Sequence, residues 1–311
     1  MSVIEIVEVG PRDGLQNEAV ILPPADRAAL VARAIAAGTR RIEAASFVDP
    51  ARVPQMADGE AVMAAAPRAP GVSLIGLVLN ERGFERAVAA ACEEVTFVVV
   101  ASETFSRRNQ GAGIAEMLEA WRRIAAAARG LRVRMTVMVA AAFGCPFEGE
   151  VAPRNIDEIV ARLLEQGPDE LAFADTIGCA VPRQVEDLVG RTRIRAPKLK
   201  LRCHFHDTRH TGLANALAAV SAGVTALDAS IGGYGGCPFA PAATGNIATE
   251  DLLYLFSRSG IATTIDLEAT LDTARWLAAK LGRPPASGLA RAGGFPPSFP
   301  TRRGGFSTAA I

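Results

Sequence analysis

Eight short runs rich in Val, Ile, Leu and Ala recur along this chain at roughly 25- to 35-residue intervals, separated by Ala-rich amphipathic stretches. This alternation predicts a series of strand–helix units. Apolar residues fall on both faces of these units, which is typical of parallel strands buried on both faces. The predicted strands are Val3–Val9, Arg40–Ala45, Val72–Leu79, Glu94–Val100, Arg132–Val139, Glu170–Ala174, Leu199–His206 and Ala226–Ser230.

The stretches between these runs predict helices near residues 24–37, 54–66, 82–91, 112–129, 155–166, 182–194, 210–222 and 247–258, and a further helix at about 266–281. Eight such units in 311 residues favour a closed TIM (β/α)8 barrel with an extra C-terminal helix. The alternative is an open doubly wound sheet, which usually carries a glycine-rich nucleotide turn after its first strand. The chain reads GPRDGLQNE there, and no dinucleotide or P-loop motif follows any predicted strand.

The composition changes at Arg283 to Pro, Gly, Ser and Arg without apolar periodicity. We therefore expect residues 1–282 to form one domain and residues 283–311 to form a flexible tail. Half of the residues are hydrophobic, and the 33 basic residues balance the 33 acidic ones, so no net charge favours nucleic acid or an anionic membrane. A small molecule is the expected partner.

The five cysteines are scattered singly, which fits a reducing compartment. The chain opens directly on a strand pattern, and no stretch approaches the about 18 apolar residues that a membrane span needs. We expect a cytoplasmic protein.

All three histidines of the chain, His204, His206 and His210, lie within RCHFHDTRHTG, at the end of the seventh predicted strand. In a strand, residues i and i+2 point to the same side, so His204 and His206 should project together at the carboxyl end of the barrel, where TIM-barrel sites are built. This spacing suits two metal ligands, although two hydrogen-bonded polar residues at the barrel mouth would give the same pattern. His210 lies beyond the strand and is expected at the surface.

Asp13 follows the first predicted strand and reaches the same end of the barrel. Alone, it is a good turn residue in PRDG. Beside the histidine pair it becomes a candidate third ligand, and the mixed oxygen and nitrogen set favours Mg²⁺ or Mn²⁺ over a closed zinc site.

Three further charged residues are expected at this rim. Arg12 places a cation beside Asp13 that suits an enolate or carboxylate oxygen. Glu43 and Asp175 end the second and sixth predicted strands, and either of them could act by holding Arg12 in place.

A glycine-rich segment, SIGGYGGCPFAPAATGNIATED, follows the eighth predicted strand and could close over a site. Within it, Cys237 is a candidate proton donor or acceptor, although a lone cysteine in a loop is usually inert. Asn246 precedes an amphipathic helix, where the ordinary role of an asparagine is to cap the helix.

The motifs GPRDGLQNE, IEAASFVDPARVPQMAD, FGCPFEG, FADTIGCAVP, HFHDT and GGCPFA…TGNIATEDLLY occur in the order seen in 3-hydroxy-3-methylglutaryl-CoA lyases. From residue 3 to about 280, the chain resembles this family. The resemblance implies a metal-dependent lyase on a TIM barrel that cleaves 3-hydroxy-3-methylglutaryl-CoA to acetyl-CoA and acetoacetate. It also implies an acyl-CoA partner and a homo-oligomer, either a dimer or a tetramer.

The same resemblance implies roles for individual residues. It makes Asp13, His204, His206 and Asn246 the ligands of a divalent metal, Mg²⁺ or Mn²⁺. Arg12, Glu43, Asp175 and Cys237 match catalytic residues, and Gln16, Ser46, Ser102 and Asn109 match substrate-binding positions.

The chain departs from the family pattern in the fifth predicted strand, where Met138 and Ala140 replace a common Tyr and Ser. Citramalyl-CoA or a longer branched 3-hydroxyacyl-CoA is therefore an alternative substrate. A Schiff-base aldolase would need a lysine at the barrel mouth, and the chain's lysines are Lys198, Lys200 and Lys280. A non-catalytic barrel that binds a CoA ester is the rival from another class.

Overall fold

The computed structural model describes residues 3–236 and 245–295 and contains a closed barrel of eight parallel strands in sequential order. Each strand pairs with its neighbours in the chain, and the last pairs with the first through Glu5 to Glu8 against Ala226 to Ala229. The strands are β1 (Glu5–Glu8), β2 (Arg41–Ser46), β3 (Ser73–Val78), β4 (Glu94–Val100), β5 (Arg134–Ala140), β6 (Glu170–Asp175), β7 (Lys200–Phe205) and β8 (Ala226–Ala229).

Helices surround the barrel and bury their apolar faces against it. They are α1 (Pro24–Ala36), α2 (Gly59–Ala65), α3 (Glu81–Ala89), α4 (Glu103–Gln110), α5 (Ile114–Ala128), α6 (Pro153–Leu164), α7 (Pro182–Arg195), α8 (Gly212–Ser221), α9 (Thr249–Arg258), α10 (Leu267–Leu281) and α11 (Gly288–Ala292). The predicted TIM barrel is thus confirmed.

The structure differs from the prediction in two segments. The predicted helix at 54–66 is a 3₁₀ turn, Pro54–Met56, followed by α2, and Asp58 between them has a left-handed backbone with φ of 59°. Helix α4 was missed because it carries little apolar periodicity, since Phe105 and Ser106 are its buried residues. Ser102 caps this helix by accepting a hydrogen bond from the Phe105 N–H.

The lower half of the barrel interior holds a buried ionic network. Arg41 on β2 donates to Glu94 on β4 over 3.0 Å and to Glu170 on β6 over 2.6 Å. Arg202 on β7 is fully buried and donates to Thr96 over 3.1 Å. Removing one partner from such a network leaves an unpaired buried charge, at a cost of about 3–5 kcal/mol. The network therefore stabilises the lower half of the barrel interior, beneath the upper half.

The expectation of a loose tail from Arg283 needs correction for the residues described there. Helix α11 is held to α9 because Asp251 accepts hydrogen bonds from the Ser287 hydroxyl and the N–H groups of Gly288 and Leu289. Leu289 is buried against the body of the protein. Residues 296–311 lie outside the described residues, so a flexible tail there stays a prediction.

Within the described ranges, no helix has both the length and the apolar character that crossing a membrane requires.

Candidate metal centre and active site

A π-helical turn, Gly10–Gly14, directly after β1 carries Arg12 and Asp13 into the barrel mouth. Its two glycines are closely packed, since a Cβ at Gly10 would lie 2.5 Å from Glu8 Oε1 and one at Gly14 would lie 2.7 Å from Ser230 Oγ. The Gly14 N–H donates to the Val9 carbonyl over 3.1 Å, which closes the turn. Both charged side chains are consequently buried although they follow the strand.

The two histidines at the end of β7 face this turn. His204 Nε2 lies 3.8 Å and His206 Nε2 3.7 Å from Asp13 Oδ2, and all three residues are buried. One candidate ligand atom from each residue lies within 4.8 Å of the other two, a spacing that can hold a metal ion. The structure thus brings together the three residues that sequence reasoning selected as candidate ligands.

Asn246 joins this cluster from the segment before α9. Its Nδ2 donates to Asp13 Oδ2 over 2.9 Å and to the Tyr234 carbonyl over 3.0 Å. Its Oδ1 is buried without a hydrogen-bond partner in the described part of the chain. A buried amide oxygen with no donor beside it suits a hard divalent cation, which supports Asn246 as a fourth ligand. Asn246 does not cap the helix, because the N-cap of α9 is Ala248.

The charges around Asp13 keep its carboxylate ionised. Burial alone would raise the pKa of Asp13, but the Arg12 guanidinium and the two histidines hold it well below its usual range. For His204, burial opposes the positive charge, but Asp228 and Asp13 together raise the pKa above its usual value. Protons and a metal ion would therefore compete for His204.

Arg12 is fixed between two carboxylates. Its guanidinium forms buried ion pairs with Asp13 and with Glu43, and it lies 3.5 Å from Gln16 Oε1. Burial raises the pKa of Glu43 even though Arg12 opposes that effect. The supporting role predicted for Glu43 is therefore the one that its contacts favour.

Asp175 does not join the cluster. Its two carboxylate oxygens accept hydrogen bonds from the N–H groups of Cys179 and Ala180, both at 2.9 Å. In the sheet Asp175 is paired with Phe205 and Ala174 with His204, so Ala174 shares the inward face of His204 and Asp175 points away from the barrel axis. Asp175 ends β6 at the expected rim, but its carboxylate holds the loop after β6, and a catalytic role for Asp175 stays a prediction.

Asp228 on β8 is a site residue that sequence reasoning missed. Its Oδ2 lies 3.1 Å from His204 Nδ1, and its Oδ1 lies 3.5 Å from Arg202 Nε. A histidine ligand usually donates its second ring N–H to such an acceptor, which fixes the tautomer and the ring orientation. The available signal was a single carboxylate inside an otherwise apolar predicted strand.

A cavity of about 560 Å³ opens in front of the cluster. Of the predicted substrate-binding residues, Gln16, Ser46 and Asn109 line it. Ser102 is instead buried outside the cavity lining, and its Oγ lies 2.9 Å from Cys145 Sγ. The fourth predicted substrate contact is therefore not placed at the cavity.

Two other predicted positions need comment. Cys237 lies outside the described residues, and the segment that leads to it ends at Gly236, which lines the cavity. His210 is at the surface, as expected, with its side chain 92% exposed and 3.6 Å from Asp207.

A closed parallel barrel with a buried carboxylate, two imidazoles and an amide at the carboxyl ends of its strands defines a TIM-barrel protein with a candidate divalent-metal centre. Comparison with known proteins gives the family: the HMGL-like family model matches residues 3–277, and the chain belongs to that family.

The relatives have similar lengths. The (R)-citramalyl-CoA lyase of Chloroflexus aurantiacus is 43% identical, over 94% of this chain and 96% of its own length. The hydroxymethylglutaryl-CoA lyase of Pseudomonas mevalonii is 42% identical, over 91% and 94%. An HMG-CoA lyase from Acinetobacter baumannii, solved in complex with coenzyme A and 3-methylmalate, superposes with a TM-score of 0.91 at 40% identity and covers 94% of this chain and 95% of its own.

Proposed function

We propose that this protein cleaves 3-hydroxy-3-methylglutaryl-CoA, or a close homologue, to acetyl-CoA and a keto acid, which is acetoacetate for the hydroxymethylglutaryl compound. The observation that carries the proposal is the buried cluster of Asp13, His204, His206 and the unpaired Asn246 Oδ1 beside the Arg12 guanidinium. Membership of the HMGL-like family makes the protein a carbon–carbon lyase.

The four ligand residues offer two hard oxygens and two imidazole nitrogens. This set fits Mg²⁺ or Mn²⁺, and Asp13, His204, His206 and Asn246 would hold the ion. When bound, the ion would acidify the tertiary hydroxyl of the substrate and hold that hydroxyl and the carboxylate in a fixed geometry.

The protein's own groups have to accommodate the proton and the negative charge that the cleavage generates. The hydroxyl loses its proton, the bond between the alcohol carbon and the thioester's α-carbon breaks, and the electron pair passes to the thioester as an enolate. Arg12 lines the cavity with a permanent positive charge that stabilises this oxygen. Glu43 holds Arg12 in place, because its carboxylate is buried and paired with the guanidinium.

The enolate then takes up a proton to become acetyl-CoA. The family resemblance points to Cys237 as a group that helps deliver this proton, and we expect Asp13 or one of the histidines to relay the hydroxyl proton. Gln16, Ser46 and Asn109 line the cavity at positions that suit contacts with the substrate. Asp175 supports the loop after β6 and Ser102 supports the start of α4.

Citramalyl-CoA is the second candidate substrate. It is favoured by the 43% sequence identity to the Chloroflexus aurantiacus enzyme. The sequence identity to the hydroxymethylglutaryl-CoA lyases is the same within a few per cent. Both compounds present a tertiary alcohol flanked by a carboxylate and a thioester arm, so the same cluster serves either one.

The test is acetyl-CoA release by metal-stripped protein to which Mg²⁺ or Mn²⁺ is restored, with hydroxymethylglutaryl-CoA and citramalyl-CoA as substrates. Metal-restored cleavage, lost in Cys237→Ser and kept in the surface variant Asp272→Asn, is the expected result. Absence of cleavage of both compounds with bound metal would favour a non-catalytic barrel that binds a CoA ester. A dimer or tetramer and a cytoplasmic location also stay predictions.

A further inference from the structure

The segment that follows α10 contacts two elements next to the candidate metal centre, and Arg283 makes both contacts. The Arg283 Nε donates to Glu18 Oε2 over 2.8 Å, and a second guanidinium nitrogen donates to Glu18 Oε1. The guanidinium carbon lies 4.6 Å from the centre of the Tyr234 ring, and the Tyr234 hydroxyl donates to the Arg283 carbonyl over 3.0 Å. We call Glu18, Tyr234 and Arg283 the clasp.

The clasp is built more tightly than an ordinary surface ion pair. Glu18 is 6% exposed and Tyr234 is fully buried, while the Arg283 side chain is 45% exposed. A guanidinium that binds both oxygens of a carboxylate and also lies over an aromatic ring makes contacts that a lysine cannot reproduce. Further along the same segment, the Ala286 N–H donates to the Gly232 carbonyl over 2.9 Å. The segment after α10 is thus attached to residues 232–234 at two points.

The backbone of Tyr234 connects the clasp to a candidate metal ligand. The Tyr234 carbonyl accepts a hydrogen bond from Asn246 Nδ2 over 3.0 Å, and the same nitrogen donates to Asp13 Oδ2 over 2.9 Å. If the amide were turned over, its oxygen would face two acceptors, which would repel it. These two contacts therefore decide that the oxygen, Asn246 Oδ1, is the end of the amide left free of a hydrogen-bond partner among the described residues.

The stretch around Tyr234 depends on contacts from outside it. The residues on both sides of Tyr234 are glycines with positive φ: Gly232, Gly233, Gly235 and Gly236. Glycine has the greatest backbone freedom of any residue, so such a stretch has little rigidity of its own. The buried Tyr234 ring is the one large side chain within residues 232–236, and its contacts fix the position of the carbonyl that meets Asn246.

We propose that Arg283 is a positioning residue of the candidate metal centre. Held by Glu18, it fixes the Tyr234 ring and with it the Tyr234 carbonyl, so that the Asn246 amide presents Oδ1 to the ion. Arg283 is not among the described residues that line the cavity, so it acts on the centre through Tyr234 and Asn246. The inference rests on the proposed metal-dependent lyase and adds a residue from the segment after α10.

The experiment measures the Kd for Mn²⁺ on metal-stripped protein from the electron paramagnetic resonance signal of free Mn²⁺. Arg283→Met keeps a long side chain but loses the guanidinium, and we expect its Kd to rise about 10-fold, as for other residues that orient a metal ligand. Arg283→Lys keeps the charge without the two-pronged contact, so its Kd should lie between those of Arg283→Met and the parent protein. Arg275→Met, at an exposed arginine on α10 that pairs with Asp272, is the matched control and should bind Mn²⁺ as the parent protein does.

A double-mutant cycle distinguishes positioning from a clasp that only fastens the C-terminal segment to the barrel. If Arg283 acts through the Asn246 amide, Arg283→Met should raise the Kd of the parent protein and leave the Kd of Asn246→Ala unchanged. Equal increases in both backgrounds would show that Arg283 does not act through Asn246, and the inference would be overturned.

Hydrogen exchange on metal-free protein gives a readout that needs neither metal nor activity. The Gly232 N–H donates to Glu250 Oε2, and the Gly233 N–H donates to the Ser230 carbonyl. In Arg283→Met, the amides of residues 230–236 should exchange faster than in the parent protein and in Arg275→Met, because the clasp no longer holds them. If Arg283→Met does not fold, Glu18→Gln weakens the same ion pair from its other side and replaces it in all three measurements.

The outcomes also separate this inference from the proposed function. An unchanged Mn²⁺ Kd in folded Arg283→Met would overturn the inference and leave the lyase function standing. If metal-loaded parent protein cleaves neither hydroxymethylglutaryl-CoA nor citramalyl-CoA, the lyase function fails, and the cycle of Kd values still decides whether Arg283 positions Asn246.

Discussion

The Nδ1 atom of His204 lies 3.1 Å from Oδ2 of Asp228, and the opposite ring nitrogen, Nε2, faces Asp13. Both acidic residues are buried, so the imidazole is held from both sides in a single orientation. Asp228 also lies beside Arg202, which belongs to the ionic network in the lower half of the barrel. The candidate metal ligand is thus connected to the ionic network of the lower barrel through Asp228 and Arg202.

Replacing this carboxylate should weaken metal binding. In Asp228→Asn, the acceptor that fixes the His204 tautomer loses its charge, and we expect the Kd for Mn²⁺ to rise about 10- to 100-fold. Titration calorimetry on metal-stripped protein measures the change. Asp272→Asn, an exposed carboxylate on α10, is the control, and an unchanged Kd in Asp228→Asn would show that His204 needs no such partner.

Metal binding should stabilise the fold, because the candidate ligands come from the turn after β1, the end of β7 and the segment before α9. Mg²⁺ or Mn²⁺ at about 100 times its Kd should add about 2.7 kcal/mol to the free energy of unfolding and raise Tm accordingly. The gain should shrink in Asn246→Ala, which lacks the unpaired Oδ1. Calorimetric melts with and without metal check this, and equal shifts in the variant and the parent protein would exclude Asn246 as a ligand.

Metal affinity should also depend on pH. Since the contacts of His204 with Asp228 and Asp13 raise its pKa, protons compete with the metal over a wider pH range than for a free histidine. We expect affinity to increase as pH rises through the His204 pKa and then to level off. Calorimetry at several pH values would detect proton release on binding, and a pH-independent Kd would contradict the prediction.

Arg12→Gln should affect turnover more than metal binding. The guanidinium faces the cavity and is not a ligand, so its loss should reduce kcat by about 100- to 1,000-fold, as for other groups that stabilise an oxyanion. The metal Kd should change by only a few-fold, because the ligands remain. Arg154→Gln, exposed on α6, serves as the control, and equal turnover in Arg12→Gln would remove Arg12 from the mechanism.

Glu8 behind the π-helical turn should make stability depend on pH. Burial raises its pKa from 4.5 to about 8, against the hydrogen bonds from the Ile231 N–H, the Thr249 hydroxyl and the Gly10 N–H. The folded protein keeps this proton at pH values where the unfolded chain has lost it, so the free energy of unfolding falls as pH rises from about 5 to about 8.

This dependence of the free energy of unfolding on pH comes from the ionisation of Glu8. Each unit by which its pKa is raised contributes roughly 1.4 kcal/mol. Glu8→Gln resembles the protonated carboxyl, so its urea-unfolding free energy should fall less between pH 5 and pH 8 than that of the parent protein. Glu268→Gln, in the first turn of α10, should keep the parent's slope. If Glu8→Gln has the parent's slope, then Glu8 is ionised in the folded protein across this range.

Much of the site could be predicted from the sequence because local rules decide it. The alternation of side chains along a strand places His204 and His206 on one face, and the position of Asp13 after β1 places it at the same end of a parallel barrel. The direction of the Asp175 carboxylate was not predicted because it depends on the register between β6 and β7, which pairs Ala174 and not Asp175 with His204. Asp228 was missed because its partner is 24 residues away.

The sequence by itself determined the eight strand–helix units, the end of the barrel at which the polar residues gather, and the pairing of two histidines with a carboxylate. These depend on periodicity and strand direction, which act over a few residues. The tertiary structure decided which side chains turn inward, that Asn246 lies against Asp13 in place of capping α9, and that one cavity lies in front of the candidate ligands. These depend on strand register and on contacts between distant segments, which no local pattern specifies.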